Sequence, residues 1–319
     1  MGVTVAIPFV RVAKENNPNL KAGVDQAEAY YKSMIVSFAS ARRVDPQVRL
    51  ILVSNESAPP KFKVALDQFE VETIVVEFLH RPPAGFTPAF EGSLFLLDAL
   101  NAVDDDQVIL MDPDVLVLRP LADVVDALKG KVGVLPLPYE PDRVVNGLSR
   151  RQAQRIHVQL GGQDSLADHY GGEFYVIPRE HMSAVRSNAA VAWSAALDSF
   201  ATKSPHFFTE EHVLNFALRF VPRESLSTHV KRVWTAHSHR NVAPSDQGLH
   251  AWHLPAEKDR GFSAMFDSVM DQKSWFWSSD EDVFVRQASK VMGLSGRSTK
   301  RVVLDLVGPL VHRLRAYAK

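Results

Sequence analysis

Apolar residues in the first half of the chain fall into two alternating patterns. Short, nearly continuous runs of strand length lie at Val3–Phe9, Gln47–Ser54, Glu70–Phe78, Gln107–Met111 and Val132–Leu135. Between them the apolar positions spread to helical spacing. The segment Val24–Arg43 carries Ala27, Tyr30, Tyr31, Met34, Ile35 and Phe38 on one face, and Gly92–Leu100 carries Leu94, Leu97, Ala99 and Leu100. Strand and helix in alternation predict an α/β fold: a mostly parallel central sheet flanked by helices. The second half is less regular. It predicts a strand at Gly172–Ile177, helices at Arg179–Phe200 and Glu210–Phe220, and extended pieces at Val230–Ala236 and His250–Leu254. The proline-rich stretch Arg81–Pro88 reads as a long loop, and the chain from Phe262 onward as a helical C-terminal extension.

One run breaks the pattern. In Val108–Leu118, Asp112 and Asp114 interrupt an otherwise apolar stretch, with Pro113 between them. Carboxylates are costly inside a core. Side chains two apart on an extended segment point the same way, so the pair can converge on one cation. Pro113 cannot donate to a ladder and belongs at a strand end. The aspartates are therefore expected where a core strand emerges at the rim of the sheet, the end at which open α/β sheets bind ligands. Hard divalent ions such as Mg²⁺ or Mn²⁺ take few carboxylates and complete their shell with phosphate oxygens and water. That chemistry points to a metal–diphosphate site.

Composition narrows the class. The chain has 319 residues, enough for one large or two ordinary domains, and 46% hydrophobic content, enough for a sizeable core. A formal net charge of −1 argues against nucleic acid as a partner. The absence of cysteine excludes disulfides, thiolate metal sites and cysteine nucleophiles and fits a reducing, cytoplasmic setting. The start of the chain lacks a basic leader, so no secretory signal is expected. Nor does any apolar run approach the ~20 residues that span a bilayer.

The aspartate pair, the helix-like Gly92–Leu100 before it and the Leu-rich Val115–Leu121 after it resemble the GT-A class of nucleotide-sugar glycosyltransferases over about residues 3 to 260. The resemblance implies a catalytic domain over residues 1–261, with a nucleotide-sugar half of about 1–136 and an acceptor half of about 137–261, followed by the extension 262–319. It implies Asp114 as the firmer metal ligand, with Asp112 on the metal, the ribose or the sugar. By the layout of that class, the base and ribose would meet Pro8, Phe9 and Arg11 after the first strand, and Ser54, Asn55 and Glu56 after the second.

Three later segments extend the resemblance. Paired glycines in Tyr170-Gly171-Gly172-Glu173 precede a strand, where they serve either a tight turn or a close backbone approach. In the resembling families this segment lies under the donor sugar, which implies Gly171, Gly172 and Glu173 at the sugar pocket. The segment Thr209-Glu210-Glu211-His212-Val213-Leu214-Asn215 has a helix start with favourable first-turn charge. It is similar to the Asp-Glu-Ser-His-Leu-Asn motif of retaining blood-group-type transferases, whose second acid faces the anomeric carbon; here that acid is Glu211, and the match is partial. Finally, His253-Leu254-Pro255-Ala256-Glu257-Lys258 resembles the closing His-x-x-x-x-Lys of the retaining family that includes glycogenin and bacterial lipopolysaccharide galactosyltransferases. This implies His253 on the metal and Lys258 on the diphosphate. His237 and His239, spaced i, i+2, are rival ligands.

These readings predict a glycosyltransferase that uses Mn²⁺ or Mg²⁺ to move a sugar from a nucleoside diphosphate donor to a glycan or lipid-linked hydroxyl, with retention. Glu211 would stabilise the anomeric centre, whereas an inverting enzyme would need a base such as Glu173. A sugar-1-phosphate nucleotidyltransferase and a non-catalytic nucleotide-sugar or glycan-binding module are the alternatives. The nucleotidyltransferase would be expected to carry a glycine-rich loop after the first strand, and Ile7–Arg11 has no glycine. The basic, amphipathic segment 297–319 either packs on the core or lies on an anionic membrane surface, which would make the protein peripheral to the inner face of the membrane.

Overall fold

The structure is a computed structural model that describes residues 2–12, 25–86, 90–166, 168–236 and 239–295. The tail 297–319, His237 and the end of the proline-rich loop lie outside the described residues. In chain order the elements are β1 (Val3–Phe9), α1 (Gln26–Val44), β2 (Arg49–Ser54), α2 (Pro60–Gln68), β3 (Val71–Val75), α3 (Phe95–Ala102), β4 (Gln107–Met111), β5 (Val115–Val117), α4 (Leu121–Leu128), β6 (Val132–Val134) and β7 (Pro136–Leu137). There follow α5 (Arg150–Gln159), β8 (His169–Tyr170), β9 (Phe174–Pro178), α6 (Arg179–Ala201), α7 (Glu210–Ala217), β10 (Arg223–Ser225), β11 (Val230–Arg232), β12 (Ala251–His253), α8 (Ser263–Met270), α9 (Trp275–Ser278) and α10 (Glu281–Val291).

The central sheet has seven strands in the order β10-β6-β9-β4-β1-β2-β3. Pairings β1–β2, β1–β4, β2–β3 and β10–β6 are parallel, while β9 runs against both β4 and β6. The sheet is thus mostly parallel, with helices on its faces, as the alternating pattern predicts. β1, β2, β4 and β9 are almost wholly buried, which explains why they read as continuous apolar runs. Strand order departs from chain order between β1 and β4, and this switch opens a crevice at their carboxyl ends.

The run Val108–Leu118 is not one strand. β4 stops at Met111, Asp112 to Val115 forms a turn closed by a hydrogen bond from Val115 N–H to the Asp112 carbonyl at 3.3 Å, and β5 joins a separate sheet of order β11-β12-β5. Pro113 enforces the break, because it has no N–H for a ladder. The two aspartates converge through this turn rather than through strand alternation. Helix α1 secures it: the hydroxyls of Ser33 and Ser37 both donate to the Pro113 carbonyl, at 2.7 and 2.8 Å. One turn further along, the Ser40 hydroxyl accepts from Val117 N–H at 3.0 Å.

Other differences are local. The segment Gly92–Leu100 divides into a 3₁₀ turn, Glu91–Leu94, and the α-helix α3. The predicted extended piece Val230–Ala236 is a strand only over β11. After β12 a π-helical turn, Lys258–Phe262, leads into α8. Met265, Val269, Phe276, Phe284 and Met292 from the C-terminal helices share one buried core with Met34, Ile35 and Phe38 of α1. No helix among the described residues is long and apolar enough to cross a membrane.

Candidate functional site

A cleft of about 430 Å³ opens at the carboxyl ends of β1 and β4, within the size range of small-molecule sites. Pro8, Phe9 and Arg11 line one wall, Asp112, Asp114, His253 and Lys258 the floor, and Glu210, Glu211, Arg232, Tyr139 and Trp234 the far side. The sequence-predicted Asn55, Gly171, Gly172 and Glu173 are not among the lining residues. Asn55 stands beside the β1 wall, where its side-chain Oδ1 accepts from Arg11 N–H at 2.9 Å, and the Arg11 guanidinium pairs with Glu56 at 3.1 Å.

On the floor, one ligand atom from each of Asp112, Asp114 and His253 lies within 4.8 Å of the others. His253 Nε2 is 3.5 Å from an Asp112 oxygen and 3.3 Å from Asp114 Oδ2, which also receives the Lys258 ammonium. Asp114 Oδ1, by contrast, is buried with no hydrogen-bond partner. A buried carboxylate oxygen without a donor is unfavourable, so the Asp114 carboxylate has capacity left for a hard cation. The residues therefore fit a divalent ion. Asp112 is the member open to the cleft, with its side chain 36% exposed against 1% for Asp114.

The charges around this floor hold one another. Burial would raise the Asp114 carboxyl, but Lys258 and His253 keep it well below the usual range. Burial and the Asp114 charge push Asp112 up, with His253 opposing. His253 itself, lowered by burial, is raised overall to about 9 by Asp114 and Glu173. Its Nδ1 faces Glu173 Oε1 at 3.3 Å, so the ring lies between a carboxylate behind and the aspartates in front. The placement is that of the carboxylates that orient metal-binding imidazoles, with no hydrogen bond joining the two groups here.

The far side is built differently. Helix α7 presents Glu210 and Glu211 from its first turn, with Thr209 at the N-cap position. Thr209 makes no side-chain cap; its hydroxyl lies 3.3 Å from His212 Nδ1, which accepts from Phe208 N–H at 3.3 Å. Asn215, one helical turn beyond Glu211, ties α7 to β8 by accepting from Tyr170 N–H at 2.7 Å and donating to the Tyr170 carbonyl at 3.1 Å. Glu211 is surrounded by donors: Gly172 N–H and Arg232 Nη2 each at 3.1 Å on Oε1, His169 Nε2 at 3.0 Å and Asn146 Nδ2 at 3.3 Å on Oε2. Burial works against its charge, but the His169 hydrogen bond and Arg232 hold its carboxyl below the ordinary range. Glu210 has the opposite fate. Burial and the Glu211 charge raise it, with Ser93 as its hydrogen-bond partner.

The paired glycines make room for these acids. A Cβ at Gly171 would collide with the Glu173 carboxylate and come within 2.9 Å of Arg232 Nη2; one at Gly172 would meet Glu210 Oε1 at 2.9 Å and Glu211 Cγ at 3.2 Å. Glu173 is fully buried behind them, its carboxylate gripped by Arg232.

With this geometry the chain superposes on known structures. The galactosyltransferase LgtC, solved with donor and acceptor sugar analogues, matches with a TM-score of 0.51 at 12% identity over 93% of this chain and 98% of its own. The apo bifunctional glycosyltransferase WbbM matches at 0.55 and 10% identity, over 90% of this chain and 51% of its own. The chain has a GT-A glycosyltransferase fold. No protein-family model or curated protein sequence matches it.

Within this GT-A fold the structure brings Asp112, Asp114, Glu211, His253 and Lys258 into one cleft, although up to 146 positions separate them in the chain. His239 stands apart from them, exposed, with its ring 6.0 Å from Trp234. Sequence reasoning missed Arg232, His169, Ser93, Tyr139 and the Ser33–Ser37 clamp. Only the serines left a trace, as polar residues at positions 33, 37 and 40 along the otherwise apolar face of α1. A lone arginine in a three-residue strand carries no signal until its tertiary partners are known.

Proposed function

We propose that the cleft is the active site of a metal-dependent glycosyltransferase that moves a sugar from a nucleoside diphosphate donor to a hydroxyl acceptor with retention. The observation that carries this reading is the convergence of ligand atoms from Asp112, Asp114 and His253, together with an Asp114 carboxylate that has one oxygen without a partner. A bound Mn²⁺ or Mg²⁺ would supply Lewis-acid stabilisation to the departing diphosphate. Asp112, Asp114 and His253 would hold that ion, Glu173 lies behind the His253 ring, and Lys258 adds a fixed positive charge beside it. Pro8, Phe9 and Arg11, with Asn55 behind them, form the wall for the base and ribose. Gly171 and Gly172 shape the floor under the sugar through the acids they admit.

Glu211 is the anion facing the anomeric centre. Its oxygens are engaged by four donors, which suits it to electrostatic stabilisation of developing positive charge. The burial of Glu173 supports retention, because a base for inversion must reach the acceptor hydroxyl from the cleft. The faces of Tyr139 and Trp234 fit the apolar side of a sugar ring in the acceptor. Residues 1–261 would form the catalytic domain. The basic stretch within 297–319 would bring it to an anionic membrane surface on the cytoplasmic side, where a lipid-linked acceptor is met.

A thermal-shift screen of nucleotide sugars with and without Mn²⁺ tests the core of the proposal, since a ligand that binds only the native state raises apparent stability. A donor that shifts the transition only with metal, and is consumed to a product of unchanged anomeric configuration by NMR, is the expected result. Absence of any metal-dependent shift across the panel would rule the reading out.

A further inference from the structure

Arg232 sits between the two ends of the cleft. Strand β11 pairs in parallel with β12 so that Arg232 lies opposite His253 in register, and both side chains turn to Glu173. The guanidinium donates through Nε to Glu173 Oε1 at 2.7 Å and through Nη2 to Glu173 Oε2. The same Nη2 reaches Glu211 Oε1 at 3.1 Å, and Nη1 reaches the Tyr139 hydroxyl at 3.3 Å. Only a planar fork with several donors makes this set of contacts; an ammonium offers one point of charge.

We infer that Arg232 is the positioning residue of this site: it fixes Glu211 as a charged carboxylate at the cleft and ties it, through Glu173, to the strand that carries His253. The inference rests on the sugar-transfer reading proposed above and adds a residue that the reading does not require. Two buried carboxylates share one cation here, and like charges brought this close cannot both stay ionised without it. Gly171 fits the same account, since any side chain there would enter the space of the Glu173–Arg232 pair. The groups facing Glu211 are His169 on β8, Arg232 on β11, Glu173 before β9, its neighbours Glu210 and His212 on α7, and the phenols of Tyr139 and Tyr175. Of these only Arg232 is a permanent cation, and it alone also contacts Glu173, so its removal leaves the two acids without the one positive charge they share at every pH.

The test compares Arg232→Met and Arg232→Lys in the full chain. Turnover of a donor identified in the screen is expected to fall ~100-fold in kcat in Arg232→Met with donor KM within ~3-fold, because the interaction acts on the charge that develops during transfer. The acid limb of the pH–kcat profile is expected to move upward. Arg232→Lys keeps the charge but loses the fork, and is expected to hold the acid limb while recovering only part of kcat. Independently of activity, the infrared difference spectrum of Arg232→Met at neutral pH should gain a protonated-carboxyl band that disappears in Arg232→Met/Glu211→Gln. Unchanged kcat, an unmoved acid limb, or a band that persists in the double variant would overturn the inference. A wild-type protein that turns over no donor, with the infrared bands behaving as expected, would sink the sugar-transfer reading while upholding the hold of Arg232 on Glu211.

Discussion

The two ends of the cleft handle buried negative charge in opposite ways. At the Asp112–Asp114 end, the Lys258 ammonium and the His253 ring crowd Asp114 Oδ2 while its other oxygen has no partner. At the Glu211 end both oxygens are shared among four donors. An acid with an open valence waits for a ligand, whereas a saturated acid is a fixed part of the electrostatic scaffold. The neighbouring pair Glu210 and Glu211 repeats the lesson at one peptide bond: the acid that meets Arg232 and His169 stays charged, and the one that meets Ser93 and the Glu211 charge is pushed toward its neutral form. Identity of residue type says little here. The donors within reach decide.

The largest effect should come from removing one acid at each end. Asp114→Asn is expected to abolish Mn²⁺-dependent nucleotide binding and to lower turnover ~1,000-fold, while Glu211→Gln lowers kcat ~100-fold and leaves nucleotide binding in place. Calorimetric titration of a nucleoside diphosphate into each variant separates them. Equal loss of binding in both would erase the distinction between an open and a saturated end.

Lys258→Met sharpens the reading of the open end. Because the ammonium contacts the same carboxylate that would ligate a metal, its removal should let Mn²⁺ alone bind ~10-fold more tightly, while diphosphate affinity falls. Mn²⁺ titration without nucleotide is the deciding measurement, and weaker metal binding in the variant would contradict it.

The smallest expected effect concerns Glu210 and is one of pH. Its folded carboxyl is raised by burial and the Glu211 charge. A raised group stabilises the fold fully below the ordinary carboxylate range, and that stability is lost as pH rises through the raised value. Glu210→Gln should therefore match the wild type in acid and exceed it by about 1 kcal/mol at alkaline pH. Thermal unfolding across pH 4 to 9 reads the difference; a constant offset would show that Glu210 does not titrate in this way.

Much of this was legible in the chain itself. The buried strands announced themselves because both faces are covered and alternation is suppressed, and Asp112 and Asp114 stood out because carboxylates are conspicuous in such a run. Glu211, His253 and Lys258 were singled out by motif, and all three line the cleft. The role of the paired glycines was not legible, since the side chains that fill their space come from Glu173, Arg232, Glu210 and Glu211. Nor was the division of Val108–Leu118 between two sheets, because periodicity does not distinguish a strand that continues from one that turns and pairs elsewhere.

By itself the sequence determined the layered α/β architecture and the presence of acids where the core strand ends, because burial and backbone chemistry are local properties that leave periodic marks. Which acid is open, which is saturated and which is pushed toward its neutral form was decided only in the tertiary structure. Those states depend on donors brought from β8, β11 and β12 across long stretches of chain, and charge in a buried site is set by the nearest partners in space.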